Sequence, residues 1–234
     1  MKYVLAIILA TLAVTAVQAE ETRVLQLEEM WRIGGPDDEE NLLGVIDRVL
    51  VDDDNNVYLV DIQLVEVQVF DPDGEYVQSL GKQGDGPGEV RRASEILFMP
   101  DGTLGLVQPF PGRIVTVALD GTPAGEVRPG EDDPTEGGFF FIGGAATLGD
   151  RLVLSGARST RDEDRMTSVN FLEDFPADGT AGTVFYQSTT VRQRAASEVQ
   201  EKDRYFPHRA WTLGPDGRLY LAPERNAYRI EVFG

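Results

Sequence analysis

Two kinds of turn recur along this chain, both at the same spacing between the first two repeats, and that register constrains its fold more than any other feature. From Val49 to Val90 lie four short apolar runs: Val49-Leu50-Val51, Val57-Tyr58-Leu59-Val60, Val65 to Phe70, and Tyr76 to Leu80. Asp52-Asp53-Asp54-Asn55-Asn56 separates the first two and Asp71-Pro72-Asp73-Gly74 the last two. Pro72 presets φ for the second position of a turn and Gly74 suits its fourth, so these gaps are turns, not helix. Phe98-Met99-Pro100-Asp101-Gly102 before Leu104 copies the first turn, and Val117-Ala118-Leu119-Asp120-Gly121 copies the second. Val57 and Leu104 stand 47 positions apart, as do Gly74 and Gly121. Further copies of the first turn fall at Gly149-Asp150-Arg151-Leu152, 48 positions on from Leu104, and at Asp216-Gly217-Arg218-Leu219, 67 on from Leu152.

Four short strands joined by tight turns form an antiparallel meander that cannot cover its own two faces, so it must be stacked against copies of itself. The fold class is therefore all-β: a β-propeller of four-stranded antiparallel blades, about four of them, over residues 46–81, 93–128, 139–186 and 208–234. The glycine-rich exit Gly81 to Glu89 is read as neither helix nor strand. Residues 23–33 are read as an outer strand, because Ile33 stands 16 positions before Val49 as Leu80 stands 16 before Ile96. Such a strand would complete the last blade and remove an exposed edge.

The first residues have a separate meaning. Met1-Lys2, an apolar run from Val4 to Val14 broken only by Thr11, and Val17-Gln18-Ala19 read as a signal peptide over 1–19. Residues 20–234 are then one domain exported to the periplasm or beyond. The apolar run falls short of the ~20 residues that span a bilayer, so no stable membrane insertion is expected. There is no cysteine, and an exported domain without disulfides must rely on core burial. The balance of 21 basic to 40 acidic residues repels nucleic-acid phosphates and anionic lipid, so neither is an expected partner; a monomer is.

Asn56-Val57-Tyr58-Leu59-Val60-Asp61, Val69-Phe70-Asp71-Pro72-Asp73-Gly74 and the string from Leu80 through Gly86-Pro87-Gly88-Glu89 resemble the six-bladed β-propellers of NHL-repeat and TolB-like type exported by many bacteria. The resemblance runs from about Val24 to Phe233 and implies six blades. Tyr228 to Phe233 has the pattern of a third strand, so the chain is expected to be truncated at its C-terminus. A ring of four blades closed by the N-terminal strand is the alternative.

Function is sought on the face where the second-to-third-strand loops and the entries to each first strand emerge. Both insertions that lengthen the last repeat interval are placed there, near Arg158 to Arg165 and in Thr189 to Arg204, where 194–201 reads as a short helix. Long loops gathered on one face make a recognition surface. Cations collect there against the trend of the chain: Arg91, Arg92, Arg113, His208, Arg209 and Arg225. Guanidinium forks bind carboxylate or phosphate bidentately, so these six are the candidate anion site. The competing reading is that they pair with Asp47, Asp61, Glu95 and Glu224.

Three other patterns are read as structural. Asp52-x-Asp54-x-Asn56 starts like a calcium loop, but Val57 stands where glycine is required and Gln63 where a bidentate glutamate belongs. Gly84-x-Gly86-x-Gly88 opens no helix, and Asp85 and Glu89 would repel a phosphate. A lone His208 allows neither a histidine zinc site nor a serine triad with a histidine to spare. No metal and no cofactor is expected. The leading function is a noncatalytic propeller that holds a protein partner or small anionic ligand on its channel face. The alternative is a lactonase-like propeller hydrolase or lyase with a carboxylate-bound metal in the central channel.

Overall fold

The computed structural model of the chain describes residues 25–35, 42–129, 138–176, 182–193, 207 and 209–234. The expected signal peptide, His208 and the expected helix over 194–201 lie outside them. The chain divides into two units, 1–30 and 31–234. In the first, residues 25–30 have no regular secondary structure and expose Leu25, Leu27 and Met30. The second holds every described strand, and no helix occurs among the described residues.

The first blade consists of β1 (Ile46–Val51), β2 (Val57–Asp61), β3 (Glu66–Phe70) and β4 (Tyr76–Leu80), paired antiparallel in that order. A link follows that is not wholly irregular: β5 (Lys82–Gln83) and β6 (Glu89–Val90) form a two-residue parallel ladder. The Glu89 carboxylate accepts the Gly86 amide at 2.9 Å and pairs with Lys82 at 3.0 Å, folding the glycine string back on itself. The second blade is β7 (Glu95–Phe98), β8 (Leu104–Gln108), β9 (Arg113–Val117) and β10 (Pro123–Val127). The third is β11 (Phe139–Leu148), β12 (Arg151–Arg161), β13 (Arg165–Pro176) and β14 (Val184–Gln193). The fourth has three strands, β15 (Trp211–Leu213), β16 (Leu219–Leu221) and β17 (Glu231–Phe233). These sheets are successive blades of a β-propeller, each running outward from its first strand.

Aspartates close the turns that set the repeat. Asp52 accepts the amides of Asp54 and Asn56, Asp71 those of Asp73 and Glu75, Asp101 that of Thr103, Asp120 that of Thr122 and Asp216 that of Arg218, all between 2.8 and 3.1 Å. A short carboxylate satisfies turn amides that would otherwise face only water, which is why aspartate recurs there.

Packing confirms the stacking. In the second blade Ile96, Leu104, Leu106, Val115 and Val117 enter a core shared with the first, whereas Leu97, Val107 and Ile114 enter a core shared with the third. In the third, Leu152, Leu154 and Phe171 face back to the second blade, and Val153 and Leu172 face forward to Leu219 and Leu221 of the fourth. The period of two along a strand thus feeds two different cores, and β8 and β9 are buried throughout.

The structure corrects two expectations. Residues 25–34 pair with no sheet, so the outer strand over 23–33 is not formed in its described part. Gly34 and Gly35, at φ 74° and 118°, bend the chain out of an extended path. Trp31 instead donates its indole N–H to the Pro72 carbonyl at 3.0 Å and covers the turn at Gly74, where a Cβ would fall 2.8 Å from the ring. The extra residues near Arg158 to Arg165 are not a long loop either. They extend β12 and β13 to 11 and 12 residues around a tight Asp162–Asp164 turn, where Asp162 accepts the amides of Asp164 and Arg165.

Asp61 ties the chain's entry to the first blade. Fully buried, its carboxylate accepts the amides of Gly44, Val45, Gln63 and Leu64 at 2.5, 3.2, 2.9 and 2.9 Å. Burial pulls its pKa up, and these four bonds outweigh burial and hold it below the ordinary carboxylate value. A lowered folded-state pKa gives stability that is present above the unfolded value, about 4, and lost as pH falls through the folded one. Asp61→Ala leaves several buried amides unpaired and should cost on the order of 3 kcal/mol by urea unfolding at neutral pH. Its deficit against the parent protein should shrink below about pH 4; an unchanged deficit would show that the charge contributes nothing.

Candidate functional site

β1, β7, β11 and β15 are the first strands of their blades, and side chains from all four meet at one cavity. It measures about 280 Å³ and is lined by Arg48, Glu95, Gly144, Ala145, Ala146, Arg209, Trp211, Thr212 and Leu213. A second cavity of about 600 Å³ adjoins it, lined by Arg92, Ser94, Pro109, Phe110, Phe141, Ile142, Gly143 and Arg209. Arg209 belongs to both. Ser94 faces the larger and Glu95 the smaller, and Gly143 and Gly144 divide in the same way. The register of β11 against β12 slips between Ile142 and Gly144, and such a bulge re-aims successive residues of one strand.

The walls are fixed by the backbone. Ile142 donates to the Pro109 carbonyl at 3.1 Å and Gly112 to that of Phe140 at 2.9 Å, which ties the β8–β9 loop to β11. Phe110 and Phe139 meet edge to face with centroids 5.6 Å apart, although Phe110 remains 60% exposed. In the fourth blade Ala210 donates to the Pro207 carbonyl at 3.2 Å and Ala222 to that of Ala210 at 2.8 Å, anchoring the turn that carries Arg209.

Glu95 is the acidic group of the smaller cavity. One of its oxygens accepts the Ala145 amide at 3.1 Å; the other stands 3.8 Å from Nε of Arg48, too far for a hydrogen bond. The Nη1 of Arg48 donates to the Asp47 carbonyl at 2.9 Å and lies 3.6 Å from the Asp47 carboxylate. Burial raises the pKa of Glu95, and the Ala145 amide and the charges of Arg48 and Arg209 offset only part of that rise.

The structure places the described members of the six cations expected from the sequence in different surroundings. Arg91 forms a two-point pair with Asp85, Nε to Oδ1 at 2.6 Å and Nη2 to Oδ2 at 3.1 Å, and that hydrogen bond lowers the pKa of Asp85. Arg113 is buried and structural: it pairs with Glu126 at 3.0 Å and donates to the Glu89 carbonyl and to Gln108, both at 3.4 Å. Its place in β9 points it into the link between blades, away from the channel. Arg225 lies in the turn after β16 and lines neither cavity. His208 lies outside the described residues. Arg92 and Arg209 are brought together.

Sequence reasoning missed Arg48 and Trp211 and took Glu95 only as an ion-pair partner. The register of β1 slips between Ile46 and Arg48, and it is Arg48 that lines the cavity. Trp211 had a usable signal: it is the second residue after Arg209 and opens β15. The calcium-like string is a closed turn, since Asp52 is filled by the amides of Asp54 and Asn56, the Asn56 side chain and the Tyr58 hydroxyl. Burial and the bond to Asp52 raise the Tyr58 hydroxyl to about 12.

Residues 37–126, which hold the first two blades, match the model of a family described as a 6-bladed beta-propeller. No curated protein is similar in sequence to the chain. Among solved structures it is similar to a streptogramin B lyase, with 12% identity and a TM-score of 0.40 over 75% of this chain and 61% of that one. It is also similar to a protein from Lactobacillus plantarum, with 20% identity and a TM-score of 0.45 over 80% of this chain and 50% of that one. A putative exported protein from Bacteroides fragilis follows, with 8% identity and a TM-score of 0.36 over 63% and 72%. The chain therefore spans 61% and 50% of the lengths of the first two.

Raised by burial, Glu95 should titrate above the ordinary glutamate range of about 4.3, as read from Trp211 fluorescence in a Trp31→Phe background. Glu95→Gln should abolish that transition. A raised folded-state pKa gives stability that is present at low pH and lost as pH rises, so the Gln variant should gain on the parent from about pH 4 to pH 7. A midpoint at or below the ordinary value would refute this account.

Proposed function

We propose that this propeller is an exported, noncatalytic binding protein that holds a small anionic ligand in its larger channel cavity. One observation carries the reading: Arg92 and Arg209 line that cavity from different blades, and among the described residues no carboxylate lines it with them. In a chain with 40 acidic residues, two arginines facing one cavity without an acid form a local reversal of charge. Guanidinium forks are weakly hydrated and take carboxylate, sulfonate or phosphate oxygens in pairs. Ser94 adds a hydroxyl, and Phe110, Phe141 and Ile142 supply apolar wall, so the cavity suits an anionic head on an apolar or aromatic body. The leader-like start of the sequence supports export.

The alternative of a hydrolase or lyase with a metal in the channel calls for several converging ligands. Among the described residues no three aspartate, glutamate or histidine side chains come together to hold one.

Benzenesulfonate and inorganic phosphate are suitable probes. With ligand about a hundredfold above its Kd, binding contributes about 2.7 kcal/mol, which raises the thermal midpoint of a chain this size by about 5–10 °C. Arg92→Ala and Arg209→Ala should each remove most of that shift, and Arg91→Ala should keep it because Arg91 is committed to Asp85. Absence of any shift in the parent protein ends the proposal.

A further inference from the structure

The smaller cavity adjoins the one assigned to the anion. Three links join the two cavities along one wall: the shared Arg209, the adjacent pair Ser94 and Glu95, and the adjacent pair Gly143 and Gly144. The change of chemistry across that wall is abrupt. On one side Arg92 stands with the shared Arg209 and, among the described residues, no acid; the other side holds Arg48 and the same Arg209 together with an acid. On the other Glu95 faces the cavity beside Trp211, with one carboxylate oxygen bonded to the Ala145 amide and the other without a hydrogen-bond donor among the described residues. The cation nearest to that oxygen, Arg48, is 3.8 Å away and donates its hydrogen bond to the Asp47 carbonyl. A half-buried carboxylate with an unfilled acceptor gains most from a donor that carries charge.

We infer that the ligand is bifunctional: its anionic head lies between Arg92 and Arg209, and an ammonium group on the same molecule donates to the open oxygen of Glu95. The indole of Trp211, in the same cavity, offers an aromatic face of the kind that attracts such a cation. The class is thus zwitterionic, an amino acid or amine-bearing organic acid long enough to reach from one cavity into the next. This rests on the anion-site reading and adds a second recognition element to it.

The test uses taurine and its longer homologues, each compared with the alkanesulfonate of equal length; the sulfonate stays ionised throughout the useful pH range. Binding to the whole chain is read by calorimetry. At one chain length the amine-bearing ligand should bind about tenfold tighter or better than its partner, the difference one charge-assisted hydrogen bond makes. Glu95→Gln should erase that advantage while keeping alkanesulfonate binding, since a glutamine oxygen still accepts the Ala145 amide. Arg209→Ala should weaken both ligands. The parent protein gives an independent arm: the advantage should fade as pH drops through the titration of Glu95, because a protonated carboxyl no longer attracts an ammonium. Equal affinity of amine and alkane at every length overturns the inference and leaves the anion site standing. An advantage that survives in Glu95→Gln or is flat with pH overturns it too, and no binding of any sulfonate overturns both readings.

Discussion

The burial of each middle sheet on both faces is the constraint from which the rest of the structure follows. A two-sided strand cannot show the polar and apolar alternation of a surface sheet, because both of its faces need apolar side chains. β8 and β9 therefore read as continuous runs, and their alternate residues enter different cores. Nothing but a neighbour of the same kind presents a matching face, so the sheets succeed one another. The first strands are brought side by side, with a few charged residues among glycine and apolar ones facing the space between them. The smaller cavity is a product of that geometry, since it lies where the four first strands converge, and the larger one opens beside it.

The arginines show how an acidic chain allots its few cations. Arg91 holds the glycine-rich link through Asp85, Arg113 ties β9 to that link and to Glu126, and Arg151 pairs with Asp174 at 2.6 Å. Arg158 lies 4.1 Å from the ring centroid of Phe171 and pairs with Glu173. Buried or two-point pairs of this kind fix registers between elements, and breaking one leaves a charge uncompensated. Against that background Arg92 and Arg209 stand out because they line the larger cavity with no carboxylate among the described residues beside them.

The fold was legible in the sequence to an unusual extent because its signal is a repeat of turn chemistry. An aspartate that closes a hairpin leaves the same mark each time, and two independent turns at one spacing are hard to mistake. What the sequence did not disclose was every place where register slips. The bulges at Ile46–Arg48 and Ile142–Gly144 decide which residues reach the channel; the first contains no residue whose type announces it, and the second is marked only by Gly143 and Gly144. Length was misleading in the third blade for a related reason. Extra residues between two strands can enlarge the turn or lengthen both strands in register, and Ser159, Thr160, Thr167 and Ser168 suit a strand ladder as well as a loop. The candidate site was half legible: charge and blade position identified Arg92 and Arg209, but the burial of Arg113 depends on contacts with a distant link.

The aspartate turns have an evolutionary consequence. Each carboxylate caps amides within a few positions of itself, so a hairpin end satisfies those amides locally. Only the apolar faces make demands on a neighbour, and those demands are generic in shape and chemistry. A genetic segment encoding one such sheet can be copied in tandem and inherit workable turns at once. Divergence is then free to act on the first strand alone, where a single altered residue changes what the ring can hold.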